Sequence, residues 1–201
     1  GVDVNDNSGY SVSAAGDVNG DGLDDVIIGA YLADPNGTSS GSSYVVFGTE
    51  STDAIELSTL EAGEGGGFVI NGVTSYDSSG YKVSGAGDIN DDGLDDVIIG
   101  AYGADPNGSN GAGASYVVYG TTAITAIALS TLEAEGGGGF VINGVGGSDS
   151  SGVSVSAAGD INGDNIPDLI IGATNADENN SNSGSSYVVF GADTYLSTTD
   201  W

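Results

Sequence analysis

The chain has 201 residues, of which 29 are acidic and only one, Lys82, is basic, so its formal net charge is −28. This charge excludes nucleic acids and anionic membranes as partners, because both are bound through Lys and Arg. The absence of Cys and His excludes disulfides, thiolate metal sites, the usual zinc ligand and the commonest general base. No apolar run approaches the roughly 20 residues of a membrane-spanning helix, so membrane insertion is not expected.

One stretch, acidic in its first half and aliphatic in its second, occurs three times. It reads "AGDVNGDGLDDVIIGA" over residues 15–30, "AGDINDDGLDDVIIGA" over 86–101 and "AGDINGDNIPDLIIGA" over 158–173, with a step of 71 and then 72 residues. A period of this length indicates an array of similar units. The chain is accordingly divided into repeat 1 (1–66), expected to lack its first strand, repeat 2 (67–138), and repeat 3 with a C-terminal tail (139–201).

The middle repeat contains all the predicted elements. Short runs rich in Val, Ile, Phe and Tyr, bounded by Gly, Asn, Asp or Ser, predict four strands at residues 66–73, 81–87, 95–102 and 114–120. The segments that begin at Leu57 and Leu129 allow one or two helical turns at most. The sequence therefore predicts an all-β fold of tandem four-stranded antiparallel blades of β-propeller type, in three repeats of about 71–72 residues.

The acidic half of each stretch has the pattern of a cation-binding loop. Oxygen-bearing side chains stand at positions 1, 3, 5 and 9, counted from the first Asp, and a backbone carbonyl at position 7 completes the set. A flexible all-oxygen set favours calcium over magnesium, which demands a tighter octahedron. The predicted ligands of three Ca²⁺ sites are Asp17, Asn19, Asp21, the Leu23 carbonyl and Asp25; Asp88, Asn90, Asp92, the Leu94 carbonyl and Asp96; and Asp160, Asn162, Asp164, the Ile166 carbonyl and Asp168.

These loops differ from EF-hands in their second half. An EF-hand needs Glu at position 12, whereas all three copies have Ile there, so each loop is expected to run directly into a buried strand. Position 6 is Gly22, Gly93 and Asn165, residue types that tolerate the left-handed conformation a tight curl requires. With Asn165 at position 6 and Pro167 at position 8, the third loop is expected to bind most weakly. The alternative is a set of Asp/Asn/Gly turns without a cation.

The wider repeat resembles the FG-GAP repeat, the unit of the integrin α-subunit β-propeller and of many bacterial extracellular proteins. The resemblance lies in "SGYSVSAAGDVNGDGLDDVIIGAY" (8–31), "SGYKVSGAGDINDDGLDDVIIGAY" (79–102) and "SGVSVSAAGDINGDNIPDLIIGAT" (151–174), each followed by "YVV". It implies that the calcium loop joins the first two strands of a blade. Two family positions differ, because the Phe of "FG" is replaced by Ser8, Ser79 and Ser151, and the Pro of "GAP" by Tyr31, Tyr102 and Thr174.

The leading functional hypothesis is a non-enzymatic, calcium-stabilised structural or adhesion module located outside the cell or at its surface. Calcium loops with dissociation constants on the order of 0.1–1 mM are filled outside cells and empty in the cytosol. An enzyme is not expected, because the repeated acids belong to the loops and the others, such as Glu61, Glu64, Glu133 and Glu135, lie in Gly-rich connections. A non-catalytic accessory domain of a secreted hydrolase is a further alternative.

Partners are inferred from the repeat number. Propellers close with 4 to 8 blades, so three repeats predict head-to-tail self-assembly into a closed ring or a filament, or further blades supplied by a longer chain. Apolar surface for such contacts is expected from Leu196 and Trp201, opposite the first-strand gap in repeat 1. The chain starts at Gly1 rather than Met, which suggests a mature fragment or part of a longer protein.

Two further features bear on a possible ligand or modification. Tyr10, Tyr31, Tyr81 and Tyr102 could stack on sugars, which would make the chain a carbohydrate-binding or protein-binding propeller domain of a longer surface protein; the alternative is that they close core edges. Glycosylation sequons begin at Asn36, Asn107 and Asn179. They suggest glycan attachment or, alternatively, simple turn chemistry.

Overall fold

The computed structural model describes residues 1–133, 138–177, 181–192 and 199–200. The strands are β1 (Ser11–Gly16), β2 (Asp25–Ala30), β3 (Ser42–Val46), β4 (Gly67–Asn71), β5 (Lys82–Gly87), β6 (Asp96–Ala101), β7 (Ala114–Val118), β8 (Ile127–Ala128), β9 (Gly139–Asn143), β10 (Ser151–Gly159), β11 (Asp168–Ala173), β12 (Ser185–Val189) and β13 (Thr199–Asp200). Two short helices, α1 (Leu57–Glu61) and α2 (Ser130–Glu133), lie where one or two turns are expected. The all-β prediction is confirmed.

The strands form three sheets, one for each copy of the acidic stretch. Their strand orders are β1-β2-β3-β4-β8, β5-β6-β7-β9-β13 and β10-β11-β12. The main pairs within each sheet are antiparallel, whereas the two-residue strands β8 and β13 pair in parallel with β4 and β9. The first two sheets therefore contain the predicted four antiparallel strands, and the blade-like arrangement is confirmed.

The position of the "FVIN" strand differs from the expectation. β4 contains this sequence and pairs with β3, with Tyr44 opposite Val69, so it is the last strand of the first sheet rather than the first strand of the second. The prediction that the first unit lacks a strand is wrong. Among the described residues it is the third sheet that has three strands. Leu196 and Trp201 lie outside the described residues.

The sequence does not reveal the sheet to which β4 belongs, because a regular period fixes the spacing of strands but not their grouping into sheets. β3 and the core of β4 are continuously buried runs that can pair on either side, and sequence alone leaves the connection between β4 and β5 looking like a turn within one sheet. The division at residues 67 and 139 follows the sequence period. The hydrogen-bonded sheets instead cover residues 11–71, 82–143 and 151–189, with β8 and β13 added at their edges.

Apolar side chains fill the space between successive sheets. β5 packs against β1 on one side and β10 on the other. Ile27 of the first sheet and Val83 of the second belong to one buried cluster, and Ile98 of the second sheet and Val155 of the third belong to the next. Because Val83 and Val155 occupy equivalent positions, the two junctions repeat one packing arrangement.

Glycine makes this close approach possible at one point in each junction. A Cβ on Gly29 would collide with the carbonyl oxygen of Gly80, and a Cβ on Gly100 would collide in the same way with that of Gly152. Both obstructing atoms belong to the backbone, so no side-chain rotation could relieve the clash. In the first two copies of "IIGA", the Gly is therefore required by the sheet that packs against it.

Candidate metal centre

Each acidic loop joins the first two strands of its sheet, as the resemblance implies. The loops connect β1 to β2, β5 to β6 and β10 to β11. Just before position 1 the strand register shifts, and the residue there has a positive φ: 78° at Gly16, 73° at Gly87 and 72° at Gly159. Such a bulge bends the strand and turns the chain sharply into the loop.

The backbone of each loop curls around the carboxylate at position 1, which is called the hub of its loop. Asp17 Oδ1 accepts hydrogen bonds from the N–H groups of Gly20 and Asp21 at 2.8 and 3.0 Å, and its Oδ2 accepts one from Gly22 at 2.8 Å. Asp160 accepts the three equivalent bonds in the third loop. Asp88 accepts from positions 5 and 6 of the second loop at 2.9 and 2.8 Å. The backbone of every loop is therefore wrapped around its first side chain.

Positions 3 and 5 complete the curl. Asn19 Nδ2 donates to Asp21 Oδ2 at 2.9 Å, Asn19 Oδ1 accepts from the Asp21 N–H at 2.8 Å, and Asp21 Oδ1 accepts from the Leu23 N–H at 2.9 Å. The other two loops repeat all three bonds; their position-7 residues, Leu94 and Ile166, are held through their N–H groups in the same way. In all three copies, the side chains at positions 3 and 5 are thus bonded to each other and to the loop backbone.

The left-handed turn expected at position 6 is confirmed. The φ angles are 88° at Gly22, 91° at Gly93 and 70° at Asn165. Position 4 is also left-handed, with Asp91 at 56° where the other loops have glycine. An aspartate tolerates this conformation better than most residues, but the second loop is strained there relative to the other two.

Position 9 has a structural role that sequence reasoning missed. Asp25, Asp96 and Asp168 are fully buried. Each accepts one hydrogen bond from the N–H at position 2 of its loop, at 2.9, 3.0 and 2.6 Å. Each also accepts one from the glycine after the third strand of its sheet, at 2.7, 2.8 and 3.0 Å. These carboxylates brace the loop against the sheet.

Burial and neighbouring charge oppose ionisation of two of the bracing acids, Asp25 and Asp96. Desolvation raises the pKa of Asp96 to about 7; two backbone hydrogen bonds counteract this shift, and the charges of Asp92 and Asp88 add to it. Desolvation likewise raises the pKa of Asp25, with Asp21 and Asp17 contributing in the same direction. A cation bound in the loop would favour the ionised form of both carboxyls.

The donor chemistry of the loops fits a hard cation, since every candidate side chain offers oxygen. Within the described ranges, however, no three acidic side chains are gathered closely enough to form a metal cage by themselves. The carboxylate oxygens are directed at the amide groups of their own loops, as the bonds to Asp17 and Asp21 show. A complete set would also need the Asn side chain and a backbone carbonyl.

The three repeats that carry these loops also match a known protein family. The model described as "FG-GAP repeat" matches residues 8–46, 79–118 and 151–189. The chain belongs to the FG-GAP repeat family. The resemblance read from the sequence is thereby confirmed, and so is the assignment of each acidic loop to one FG-GAP repeat.

The relatives that this FG-GAP chain resembles are integrin α subunits. It is 34% identical to integrin alpha pat-2 of Caenorhabditis elegans over 82% of this chain and 13% of that protein. It is 29% identical to integrin alpha-5 of Xenopus laevis, covering 84% of this chain and 15% of the relative, and 28% identical to integrin alpha-PS2 of Drosophila melanogaster, covering 89% and 12%. The chain thus spans a small part of each relative. No helix in its described part is long and apolar enough to cross a membrane.

The four tyrosines singled out in the sequence come together. The Tyr10 ring lies 4.6 Å from that of Tyr31 and 5.0 Å from that of Tyr81, and the Tyr81 ring lies 4.5 Å from that of Tyr102, measured between centroids. The hydroxyls of Tyr10 and Tyr81 are 3.2 Å apart. This tyrosine cluster spans the junction between the first two sheets.

Two other polar residues singled out in the sequence have hydrogen-bond partners in the structure. Glu61 accepts a hydrogen bond from the buried Tyr44 hydroxyl at 2.6 Å, so it closes a core edge. Asn36 Nδ2 donates to the Gly72 carbonyl at 2.7 Å, so this sequon side chain links its loop to the residue that follows β4. Asn107 lies in an exposed turn, while Asn179 and Glu135 lie outside the described residues.

Proposed function

We propose that this FG-GAP chain is a non-catalytic, calcium-stabilised structural or adhesion module that works outside the cell or at its surface. The observation that carries the proposal is the threefold repetition of one loop geometry, with oxygens at positions 1, 3 and 5 on a single curl. The likeness to integrin α subunits supports the adhesion and cell-surface parts of the proposal. A non-catalytic accessory domain of a secreted hydrolase is the remaining alternative of the same kind.

The loop side chains at positions 1, 3, 5 and 9, with the carbonyl at position 7, are the proposed holders of one Ca²⁺ each. A bound ion would supply positive charge beside the carboxylates at positions 1, 5 and 9 of its loop. The loop itself supplies preorganisation, because the position-1 hub fixes the backbone and the position-9 brace fixes the loop to the sheet. Extracellular calcium, at about millimolar concentration, would keep loops of modest affinity filled.

The three sites are expected to be unequal, and calorimetric titration of calcium tests both their existence and their order. Loop 3 has Asn165 at position 6 and Pro167 at position 8, so it starts from a less favourable turn and lacks one nearby acid. We expect Asp160→Ala to remove the weakest class of sites, and Asp17→Ala or Asp88→Ala to remove a tighter one. Loss of the tightest class of sites in the Asp160 variant would contradict this order. Calcium titrations of all three variants that match that of the native chain would contradict the assignment of the loops as calcium sites.

A second candidate function is carbohydrate binding, favoured by the tyrosine cluster. Rings that pack together across two blades form a continuous aromatic surface, and such rings bind sugars by stacking. A glycan array probed with the native chain and with Tyr10→Ala tests this. Tyr76→Ala is the control, because Tyr76 is exposed but is not one of the four clustered tyrosines. Equal glycan signals from the two variants would reject the tyrosine cluster as a sugar site.

We also propose head-to-tail self-association, because the two end faces are unlike and complementary. Val12, in the first sheet, is 62% exposed, whereas its equivalents Val83 and Val155 are each 1% exposed under the preceding sheet. At the other end, Ile161 is 54% and Ile170 39% exposed, although their equivalents in the first two sheets are fully buried by the next sheet. Each end therefore presents one half of the junction that the chain already forms twice.

The proposed occupant of each end face is the opposite end face of a second copy. Unlike patches at opposite ends give a heterologous contact, which closes into a ring or grows as a filament. Two copies would supply six blades, within the range at which propellers close. Further blades of a longer chain could cover the same faces, and the contact would then lie within one molecule.

The variant Gly172→Val tests self-association. A Cβ on Gly172 would meet only Ser154, with its Cβ at 3.4 Å and its carbonyl oxygen at 3.8 Å, because no sheet among the described residues packs over it. The equivalent Gly29 and Gly100 are closed off by the next sheet. We expect light scattering at micromolar concentration in millimolar calcium to show native assemblies and a monomeric Gly172→Val. Gly147→Val, in an exposed loop, is the control and should assemble. A monomeric native chain, or a Gly172 variant that assembles normally, would contradict the proposal.

A further inference from the structure

A reciprocal pair of hydrogen bonds joins the first acidic loop to the second sheet. The Asp17 N–H donates to Asp95 Oδ2 at 2.8 Å, and the Asp95 N–H donates to the Asp17 carbonyl oxygen at 3.1 Å. Alongside them, the Thr121 N–H donates to the Val18 carbonyl oxygen at 2.8 Å. Asp17 is the hub of loop 1, whereas Asp95 stands at position 8 of loop 2. The two loops are therefore connected across the junction.

The junction between the second and third sheets lacks this pair. Position 8 of loop 3 is Pro167, which has neither a backbone N–H nor a carboxylate, so it cannot form either bond. It lies instead close to Gly87, where an added Cβ would come within 2.8 Å of the proline ring. The bond equivalent to that of Thr121 is kept, since the Ala192 N–H donates to the Ile89 carbonyl oxygen at 3.1 Å. The two junctions thus share their apolar packing and differ in this polar connection.

The remaining position-8 acid, Asp24, provides a natural reference. It belongs to the first loop, so no sheet of this chain precedes it, and it is exposed. Asp24 and Asp95 have the same distance in sequence from their own hubs and the same charge. They differ in that Asp95 reaches the hub of a neighbouring loop.

We propose that Asp95 is a positioning residue that couples loop 1 to the second sheet, so that ordering of loop 1 and docking of the two sheets depend on one another. Asp95 holds the backbone on both sides of Asp17, whose carboxylate accepts three amides of its own loop. Fixing that backbone in advance lowers the entropy lost when the loop becomes ordered around a ligand. Thermodynamic reciprocity then requires a cation in loop 1 to strengthen the junction.

The effect on calcium rests on the proposed calcium function, whereas the structural coupling does not. The experiment therefore has two arms, each comparing Asp95→Ala with Asp24→Ala, which removes the same charge. In EDTA, hydrogen exchange of the Asp17 amide should accelerate on the order of tenfold in Asp95→Ala and remain at the native rate in Asp24→Ala. With calcium, the affinity of loop 1 should fall by a similar factor in Asp95→Ala and by roughly twofold at most in Asp24→Ala.

The conservative variant Asp95→Asn separates the hydrogen bonds from the charge and guards against a poorly folded alanine variant. It keeps an acceptor oxygen and its own N–H, so the Asp17 amide should stay protected within a few fold of the native rate. Equal exchange of Asp17 in the Asp95→Ala and Asp24→Ala chains would overturn the coupling. A native chain that binds no calcium would overturn the proposed function, while the exchange arm would still decide whether Asp95 acts as inferred.

Discussion

Chelation of calcium is expected to lower the melting temperature of the chain by a large margin. Calcium that binds only the folded state adds about 2.7 kcal/mol per site at a hundredfold excess over Kd, so three sites would add about 8 kcal/mol. A domain of this size shifts by about 2–4 °C per kcal/mol, which makes the expected difference on the order of 20 °C. Thermal unfolding in excess EDTA and in calcium at a hundredfold excess over the measured Kd gives the comparison.

The control for this prediction is the chain with Asp17, Asp88 and Asp160 all replaced by Ala. Without the three hubs its melting temperature should be low and insensitive to calcium, and this separates ion binding in the loops from general screening of the charge of −28. Magnesium at the same concentration should stabilise the native chain less than calcium. A native melting temperature that is the same in EDTA and in calcium would contradict a stabilising role for the ion.

Gly100→Ala is expected to be strongly destabilising, by about 3 kcal/mol, in urea unfolding. The new methyl group would collide with the Gly152 carbonyl oxygen, so the second and third sheets would have to separate locally. The matched variant is Gly172→Ala at the equivalent strand position of the third sheet. Its methyl group would make ordinary contacts with Ser154 alone, the nearest at 3.4 Å from Cβ, and its effect should stay within about 0.5 kcal/mol.

Both glycine variants are compared at a concentration where the chain is monomeric, since assembly would cover Gly172 as well. The two substitutions have the same chemistry and the same strand propensity, so only the overlying sheet distinguishes them. Equal losses of stability would mean that sheet stacking does not determine the requirement for glycine. A small loss in Gly100→Ala would mean that the two sheets can separate locally at little cost, contrary to this prediction.

The sequence predicted local features well because the chain repeats them. The three acidic stretches are equivalent, so strands on either side of a loop and a left-handed residue at Gly22, Gly93 and Asn165 could be inferred and then checked copy against copy. The structure confirms both, and the loops lie between the first two strands of their sheets. Such features depend on neighbours close in sequence, which a single chain displays directly.

Features that depend on distant pairing were missed or misplaced. The "FVIN" strand β4 was placed in the wrong sheet because its partner β3 is separated from it by α1 and its flanking loops. The loop pattern predicts Asp25 only as a ligand, whereas one of its two oxygens accepts a hydrogen bond from Gly48, a residue well beyond its own loop. The connection from Asp95 to Asp17 crosses between repeats, so no pattern within one repeat could reveal it.

Native mass spectrometry of the chain in the presence of calcium counts the ions on each chain, so it tests directly whether every acidic loop holds one. We therefore expect three calcium ions per chain in millimolar calcium, two in the Asp160→Ala variant, and none when Asp17, Asp88 and Asp160 are all replaced. A native chain with no specifically bound calcium, or an ion count unchanged by the triple replacement, would contradict the account.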